Sequence, residues 1–308
     1  MKATENIMKD MTKFIQKKLD EGMPFEQINE ALKNYQEEYN KNIPEKVTEQ
    51  TAKTADEFLE LAEETDDEAK AEKYVKRALA LEPDNLDAVN ASLDYFYGSL
   101  TEYYVKLGEA VKKGTRLMEK QGFMKEDCIG KFWGLIETRP YMRLLGKYAD
   151  FLKNSGMMTA AARKYEEMLR LSENDNMGVR YSLMHIYAFL GQEEKALRLM
   201  EKYDDADADN DALFIMPLSV LYFNAGDWRK SEKYVKRLCA LNKETRKFFK
   251  YVKENFKSLD DVFKEDDSYG YSIGTMDELE FAFRQQFYLY GSSLFYIHWV
   301  CDDVLKLK

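Results

Sequence analysis

Two neighbouring stretches decide the fold of this protein: YSLMHIYAFLGQEEKALRLM at residues 181–200 and PLSVLYFNAGDWRKSEKYV at residues 217–235. Each shows apolar and aromatic residues at three- and four-residue steps, then a glycine, and then a second amphipathic run. The two glycines, Gly191 and Gly226, stand 35 residues apart, and Gly156 stands 35 residues before Gly191. Because glycine tolerates the left-handed backbone that closes a helix, this recurrence predicts a repeating unit of two helices joined by a glycine turn.

The positions around these glycines recur as well. A small residue follows each glycine by five positions, and a large residue precedes each by four: Ala161, Ala196 and Ser231, and Leu152, Tyr187 and Tyr222. Small residues let two helices approach closely, and a single hairpin buries its apolar face only when it stacks on a neighbour. The sequence therefore predicts an all-α array of stacked helical hairpins, an α-solenoid.

The stretch AKAEKYVKRALALEPDN at residues 69–85 places Ala71, Tyr74, Ala78 and Pro83 in a pattern that resembles the tetratricopeptide repeat. The predicted repeats span roughly 52–85, 86–121, 141–175, 176–210 and 211–245, and the second lacks the glycine turn, which predicts one or two longer helices there. The resemblance implies a right-handed superhelix, TPR-like, whose concave groove binds proteins or peptides. Arrays of this kind serve many unrelated partners, so the resemblance implies no particular chemistry.

A narrower resemblance lies in KFWGLIETRPYMR at 131–143 and KYEEMLRLSENDNMGVRYSLM at 164–184. Together they resemble a group of bacterial tetratricopeptide proteins of unassigned activity, distantly similar to the eukaryotic suppressor-of-tumorigenicity family. The likeness covers about residues 70–245. This resemblance implies a helical repeat architecture but no activity. It leaves open whether the segment at 131–143 is structural or binds a ligand.

Three segments are expected along the 308 residues. Residues 1–45 are predicted to form a helical hairpin, with helices at about 3–20 and 25–41, that either caps the array or serves as a docking or dimerisation element. Residues 46–245 form the repeat array. Residues 246–308 are expected to form an aromatic-rich helical closure, within which a polar loop at 258–277 precedes the aromatic stretch.

The C-terminal segment is dense in aromatic residues, which occupy eight of the 21 positions from Phe281 to Cys301. Two interpretations stay open. Either these helices fold onto the last repeat or into the groove, or they form an aromatic contact surface for a partner.

Charge and apolar content exclude several classes of protein. The sequence has 46 basic and 56 acidic residues and a net charge of −10, which argues against nucleic acid as a partner. The basic run at 233–253 is either a solvated helix face or a surface for an anionic partner. No stretch has 18 apolar residues, the first residues lack the pattern of a secretory signal, and the three cysteines are widely separated. We therefore expect a cytoplasmic protein without a membrane span or a disulfide framework.

Motifs for catalysis or metal binding are lacking in the sequence. The only histidines are His185 and His298, and neither CxxC nor HxxxH spacing occurs. The acidic run at 204–211 lacks the glycine and the bidentate acid of a calcium loop. The sequence also lacks a glycine-rich phosphate-binding loop and a GxSxG nucleophile elbow. It therefore predicts a protein that is not an enzyme and that binds neither a metal nor a cofactor.

The first helices of successive repeats are expected to line the concave groove. They would present a mixed basic and aromatic surface made of Arg139, Tyr141, Arg143, Lys147, Asp150, Arg180, Tyr181, Ser182 and His185. Arginine forks suit carboxylates and tyrosines supply rigid contact area, so an acidic peptide or the C-terminus of another protein is a suitable guest. In the alternative interpretation, Glu137 pairs internally with Arg139 or Arg180, and the segment at 131–143 holds the repeats together.

The sequence thus predicts a non-catalytic scaffold or adaptor that binds a protein or peptide in its groove. Two alternatives remain. One is an architectural protein that forms homo-oligomers through the N-terminal hairpin or the aromatic tail. The other is an enzyme with a groove site near Glu137, Arg139 and Arg143.

Overall fold

The structure, a computed structural model, describes residues 2–41, 47–203, 211–255 and 272–307. All regular secondary structure in these ranges is helical, which confirms the predicted all-α class. The helices are α1 (Lys2–Asp20), α2 (Phe25–Lys41), α3 (Ala55–Glu64), α4 (Glu68–Leu81), α5 (Leu86–Ser92), α6 (Leu100–Lys120), α7 (Arg139–Asn154), α8 (Met158–Leu171), α9 (Val179–Phe189), α10 (Glu193–Lys202), α11 (Ala212–Asn224), α12 (Trp228–Leu241), α13 (Thr245–Asn255), α14 (Met276–Gln285), α15 (Phe287–Gly291) and α16 (Leu294–Trp299).

The glycine turns are formed as predicted. Gly191 and Gly226 have φ angles of 66° and 81°, in the left-handed region. The amide after each glycine reaches back to the carbonyl of the large residue four positions before it, from Gln192 to Tyr187 and from Asp227 to Tyr222, both at 2.9 Å. This bond belongs to the Schellman motif, which satisfies carbonyls that a helix end would otherwise leave open. Backbone geometry thus explains the recurring glycine.

The protein divides into two compact units. The first unit contains Met1–Phe151 and Arg170–Asn176, and the second contains Leu152–Leu169 and Met177–Lys308. The N-terminal hairpin of α1 and α2 belongs to the first unit. The aromatic helices α14 to α16 belong to the second.

In the first unit, α6 and α7 approach each other closely. A Cβ atom built on Gly114 would lie 2.7 Å from the ring of Tyr141, so only glycine fits at this contact. The segment predicted as the second repeat, residues 86–121, contains the seven-residue α5 and the 21-residue α6, in line with the longer helix predicted there. The crossing at Gly114 fixes α7, which carries Arg139 and Arg143.

In the second unit, the hairpins α9–α10 and α11–α12 pack side by side, and the C-terminal helices cover them. Helix α11 is buried from Ala212 to Phe223. The ring of Phe283 stacks on that of Tyr290 with centroids 5.3 Å apart, and the ring of Tyr296 lies 5.4 Å from that of Phe223. The aromatic segment therefore folds onto the preceding repeats, although Phe295 remains 62% exposed.

Two segments singled out in the sequence lie largely outside the described residues: the acidic run, of which 204–210 are not described, and the predicted polar loop, of which 258–271 are not described. Among the residues that are described, no helix has both the length and the apolar character needed to cross a bilayer.

Candidate functional site

The segment before α7 sets the position of its arginines. Two 3₁₀ turns, Phe132–Gly134 and Ile136–Thr138, lead into the helix. The buried Thr138 hydroxyl donates to the carbonyl oxygen of Leu135 at 2.9 Å and also to that of Phe132. These local bonds fix the start of α7, so its first side chains leave the backbone in a defined direction.

Arg139 and Arg143 meet at one carboxylate, that of Glu5 on α1. Arg143 Nη1 donates to Glu5 Oε2 at 2.9 Å and to Oε1 at 3.0 Å. Arg139 Nη1 lies 3.3 Å from Glu5 Oε1. Glu5 is only 5% exposed, so the N-terminal helix brings a nearly buried carboxylate to both guanidinium groups.

The other edge of Arg143 binds Asp87 on α5. Nε donates to Asp87 Oδ1 at 3.0 Å and Nη2 to Oδ2 at 2.8 Å, which is a two-bond fork. Burial by itself would lower the pKa of Arg143, but the hydrogen bonds and charges of Asp87 and Glu5 outweigh it and raise that pKa. Two cations and two carboxylates therefore balance each other in this part of the first unit.

Lys147 extends this row of cations by one helical turn. Its Nζ atom lies 2.7 and 2.9 Å from the two carboxylate oxygens of Asp94. Asp150 lies on the exposed surface of α7. Tyr141 is fully buried, and its hydroxyl lies 3.0 Å from Thr115 Oγ1. A partner at this surface would therefore meet the cations and not Tyr141.

Two cavities flank the pair of Arg143 and Asp87. One, of about 330 Å³, is lined by Asp87, Glu137 and Pro140 among others. The other, of about 270 Å³, is lined by Arg143, Asp87 and Asp94 among others. Glu137 is exposed, and Glu5 takes the place of the internal partner considered for Arg139.

In the second unit, Arg180 and Tyr181 form a chain of polar contacts. Arg180 Nη2 donates to the Tyr181 hydroxyl at 2.9 Å, and that hydroxyl donates to Asp211 Oδ2 at 2.7 Å. Burial and the bond to Asp211 raise the pKa of Tyr181 far above its usual value, so the phenol stays protonated. The guanidinium of Arg180 also lies over the ring of Tyr203 at 5.3 Å.

His185 and Ser182 are covered by the C-terminal helices. His185 is fully buried, with Nδ1 2.8 Å from the Tyr181 carbonyl and Nε2 2.8 Å from the Tyr290 hydroxyl. A carbonyl only accepts, so Nδ1 carries the proton and Nε2 accepts from Tyr290. Ser182 Oγ lies 3.2 Å from Gln286 Nε2. Burial lowers the pKa of His185 to about 3, which makes it a neutral part of the core.

Sequence reasoning did not identify the acidic partners, Glu5 and Asp87. Glu5 stands 138 residues from Arg143 in the sequence, and no spacing or periodicity links them. Asp87 follows the helix cap Asn85 in a short helix, where an acidic residue needs no tertiary explanation. Only the folded protein shows that both carboxylates face the same arginine.

Within the described ranges, no group of three or more histidine, cysteine, aspartate and glutamate side chains is placed to hold a metal ion. No protein-family model matches the sequence, and a search of curated proteins gave no match.

Proposed function

We propose that the protein is a non-catalytic scaffold or adaptor, a TPR-like right-handed superhelix in the cytoplasm, that binds an acidic protein segment at Arg139 and Arg143. The observation that carries this proposal is the carboxylate of Glu5, which both arginines contact at 2.9 to 3.3 Å. A nearly buried carboxylate in this position is an example of the chemistry that the two guanidinium groups accept.

The arginines are held in place by bonds that do not involve Glu5. Arg139 Nε donates to the Trp133 carbonyl at 2.8 Å, and its guanidinium lies 5.5 Å from the Trp133 ring centre. Asp87 fixes the far edge of Arg143. Side chains that are already ordered lose little conformational entropy when a ligand binds, so the site is preorganised for a carboxylate.

Glu5 is an intramolecular competitor in this proposal. A partner carboxylate that replaces it would make similar bonds to Arg143, so the exchange by itself gains little free energy. The partner must therefore add contacts of its own or meet a protein in which α1 has moved away. We expect the wild-type protein to bind short acidic peptides weakly.

The test is a comparison of full-length variants by fluorescence anisotropy with a fluorescein-labelled ten-residue peptide that ends in Glu-Glu. Glu5→Gln removes the competing charge, and we expect the peptide to bind at least about fivefold more tightly, a difference of about 1 kcal/mol. Adding Arg143→Lys keeps a positive charge beside Asp87 but removes the guanidinium group, which binds two carboxylates at once. This second substitution should cancel the gain in affinity.

A peptide ending in Gln-Gln with an amidated C-terminus serves as the matched control, and circular dichroism checks that each variant is folded. Equal affinities of the wild type and Glu5→Gln for the Glu-Glu peptide would contradict the proposal. So would a gain in Glu5→Gln that persists when Arg143→Lys is added.

A further inference from the structure

A second charged surface lies in the second unit, on α12 and α13. Residues 229–254 contain ten lysines and arginines and three glutamates, a local charge of +7. Since the net charge of the whole protein is −10, the remaining residues together have a charge of −17. This short part of the sequence therefore has a net positive charge in an otherwise acidic protein.

These cations are arranged in two stripes along the helix surfaces. The members of each stripe stand four and then three residues apart and are all exposed: Arg229, Lys233 and Lys236 on α12, and Lys243, in the turn two residues before α13, with Lys247 and Lys250 on α13. Spacing of this kind places side chains on one face of a helix. We call these six residues the basic face.

The opposite sides of both helices are anchored in the core. Val235 and Leu238 are buried on α12, and Phe248, Phe249 and Val252 are buried on α13. The helices that carry the basic face are therefore held in a fixed orientation. A partner would therefore bind to helices whose backbone is ordered, while their long basic side chains still adjust to the partner.

Among the described residues, half of the basic face lacks acidic partners. Within the part of the sequence that the structure describes, no acidic group pairs with Arg229, Lys233 or Lys243. The other three have a glutamate neighbour on the same helix or at its start, such as Glu232 at 2.7 Å from Lys236, and both members of that pair are exposed. Exposed pairs of this kind contribute little, so a partner's carboxylates can replace them at small cost.

An exposed apolar group lies at the start of the first stripe. Trp228 directly precedes Arg229 and is 47% exposed, while Leu294 and Phe295 are 48% and 62% exposed. The rings of Trp228 and Phe295 lie 6.2 Å apart, and Trp228 stacks on Phe223 at 5.7 Å. Aromatic side chains that are rigid before binding are frequent anchors of protein interfaces. We call Trp228, Leu294 and Phe295 the aromatic anchor.

We infer that the basic face and the aromatic anchor form a second interaction surface, which binds a short acidic protein segment that carries a large apolar side chain at one end. The stripe on α12 spans about 10 Å, given a helical rise of about 1.5 Å per residue. A segment of two helical turns with acidic residues at matching spacing fits this length. Nucleic acid or an anionic bilayer would extend beyond the stripes, and the net negative charge of the remaining residues disfavours both.

The test uses full-length protein and anisotropy with a fluorescein-labelled 14-residue peptide that has glutamates at i, i+4 and i+7 and a phenylalanine beyond one end. Reversal of two charges, Arg229→Glu with Lys233→Glu, should weaken binding by about tenfold or more, because two attractive charges become repulsive. The matched control is Lys112→Glu with Arg116→Glu, two exposed cations also four residues apart on α6. It changes the net charge equally and should leave the affinity within about twofold.

Trp228→Ala tests the aromatic anchor separately. It should weaken binding of the peptide with phenylalanine severalfold and leave binding of a peptide with serine in its place unchanged. Arg143→Lys lies in the first unit and should not change binding here, so failure of this inference and failure of the proposed function are distinguishable.

Three outcomes would overturn the inference. One is equal loss of binding in the α12 reversal and its α6 control. Another is the absence of measurable peptide binding at about 1 mM, which corresponds to a binding free energy weaker than about −4 kcal/mol. The third is binding of phosphatidylserine vesicles or single-stranded DNA that depends on Arg229 and Lys233 while the peptide does not bind.

Discussion

Arg143 is the residue on which the ion pairs of the first unit converge. Its guanidinium, with 22% of the side chain exposed, contacts the nearly buried carboxylates of Glu5 and Asp87. Desolvated charges are stable only when each is paired, so the loss of one partner costs more than the pair contributes. The same geometry that preorganises a carboxylate site therefore also makes this arginine important for folding.

We expect Arg143→Ala to lower the free energy of unfolding by about 3–5 kcal/mol, because it leaves two buried carboxylates without their shared cation. Chemical denaturation with urea at neutral pH measures the change. Adding Glu5→Gln and Asp87→Asn should restore part of the stability, since the two carboxylates that Arg143 neutralised are then uncharged. A triple variant as unstable as Arg143→Ala would show that lost packing, and not uncompensated charge, dominates.

His185 should make the second unit sensitive to acid. Burial lowers the pKa of His185 to about 3 in the folded protein, against about 6.5 for an unfolded histidine. The folded state therefore stays neutral while the unfolded state takes up a proton, and the stability that is present above pH 6.5 is lost as the pH falls toward 3.

Protonation of His185 in the unfolded state should make the free energy of unfolding about 2 kcal/mol lower at pH 5 than at pH 7. The change is about 1.4 kcal/mol for each pH unit below 6.5. Urea midpoints of the wild type and His185→Gln at the two pH values measure it, and the variant should lose less stability on acidification. His298→Gln changes an exposed histidine and is the matched control. An identical pH dependence in His185→Gln and the wild type would contradict the assignment.

At the scale of elements, each of the hairpins α9–α10 and α11–α12 is joined by a glycine turn. Gly226 lies at a φ of 81°, and a Cβ atom added there would meet nothing within 4 Å. The cost of a substitution at Gly226 therefore comes from the left-handed backbone alone. This conformation closes α11 and directs the backbone into α12.

Gly226→Ala should cost about 1 kcal/mol, because alanine disfavours the left-handed region, while Gly226→Asn should cost less, because asparagine tolerates it. Thermal unfolding of the two variants tests this order. Ala225→Gly, next to the turn but with a φ of −75°, is the control, since glycine gains nothing there. Asparagine that is no better tolerated than alanine would show that a contact, and not φ, decides the cost.

Helices near the two ends of the sequence contact some of the predicted binding residues in each unit. In the first unit, α1 brings Glu5 to Arg139 and Arg143. In the second, the helices after residue 275 bring Tyr290 to His185. Arg139, Arg143 and His185 thus already have partners within the protein. A binding partner must either displace the helices that supply them or bind elsewhere.

At the scale of the whole molecule, the division into two units predicts that damage to one core spreads little to the other. Phe132 in the first unit and Phe248 in the second are both fully buried. Removing such a ring lowers the free energy of unfolding by about 3–5 kcal/mol, and most of this loss destabilises the unit that contains the ring.

Hydrogen exchange followed by mass spectrometry should show lost protection mainly within residues 1–151 for Phe132→Ala and mainly beyond residue 177 for Phe248→Ala. The two variants control for each other because they remove the same ring. Uniform loss of protection over the whole protein in both variants would show that the units unfold as one.

The sequence by itself determined the helical hairpins and their turns. Apolar spacing and the left-handed preference of glycine act over a few residues, so α9 to α12 and the turns at Gly191 and Gly226 follow from local pattern. It also indicated a carboxylate as the natural guest of Arg139 and Arg143, from the chemistry of guanidinium groups.

Only the tertiary structure decided which groups those side chains meet. Glu5 and Arg143 are 138 residues apart, and His185 and Tyr290 are 105 apart. Contacts at such separations depend on how whole helices pack, which no local pattern encodes. For the same reason Tyr141 and His185, expected to line a groove, are fully buried, while the basic stripes of α12 and α13 remain at the surface.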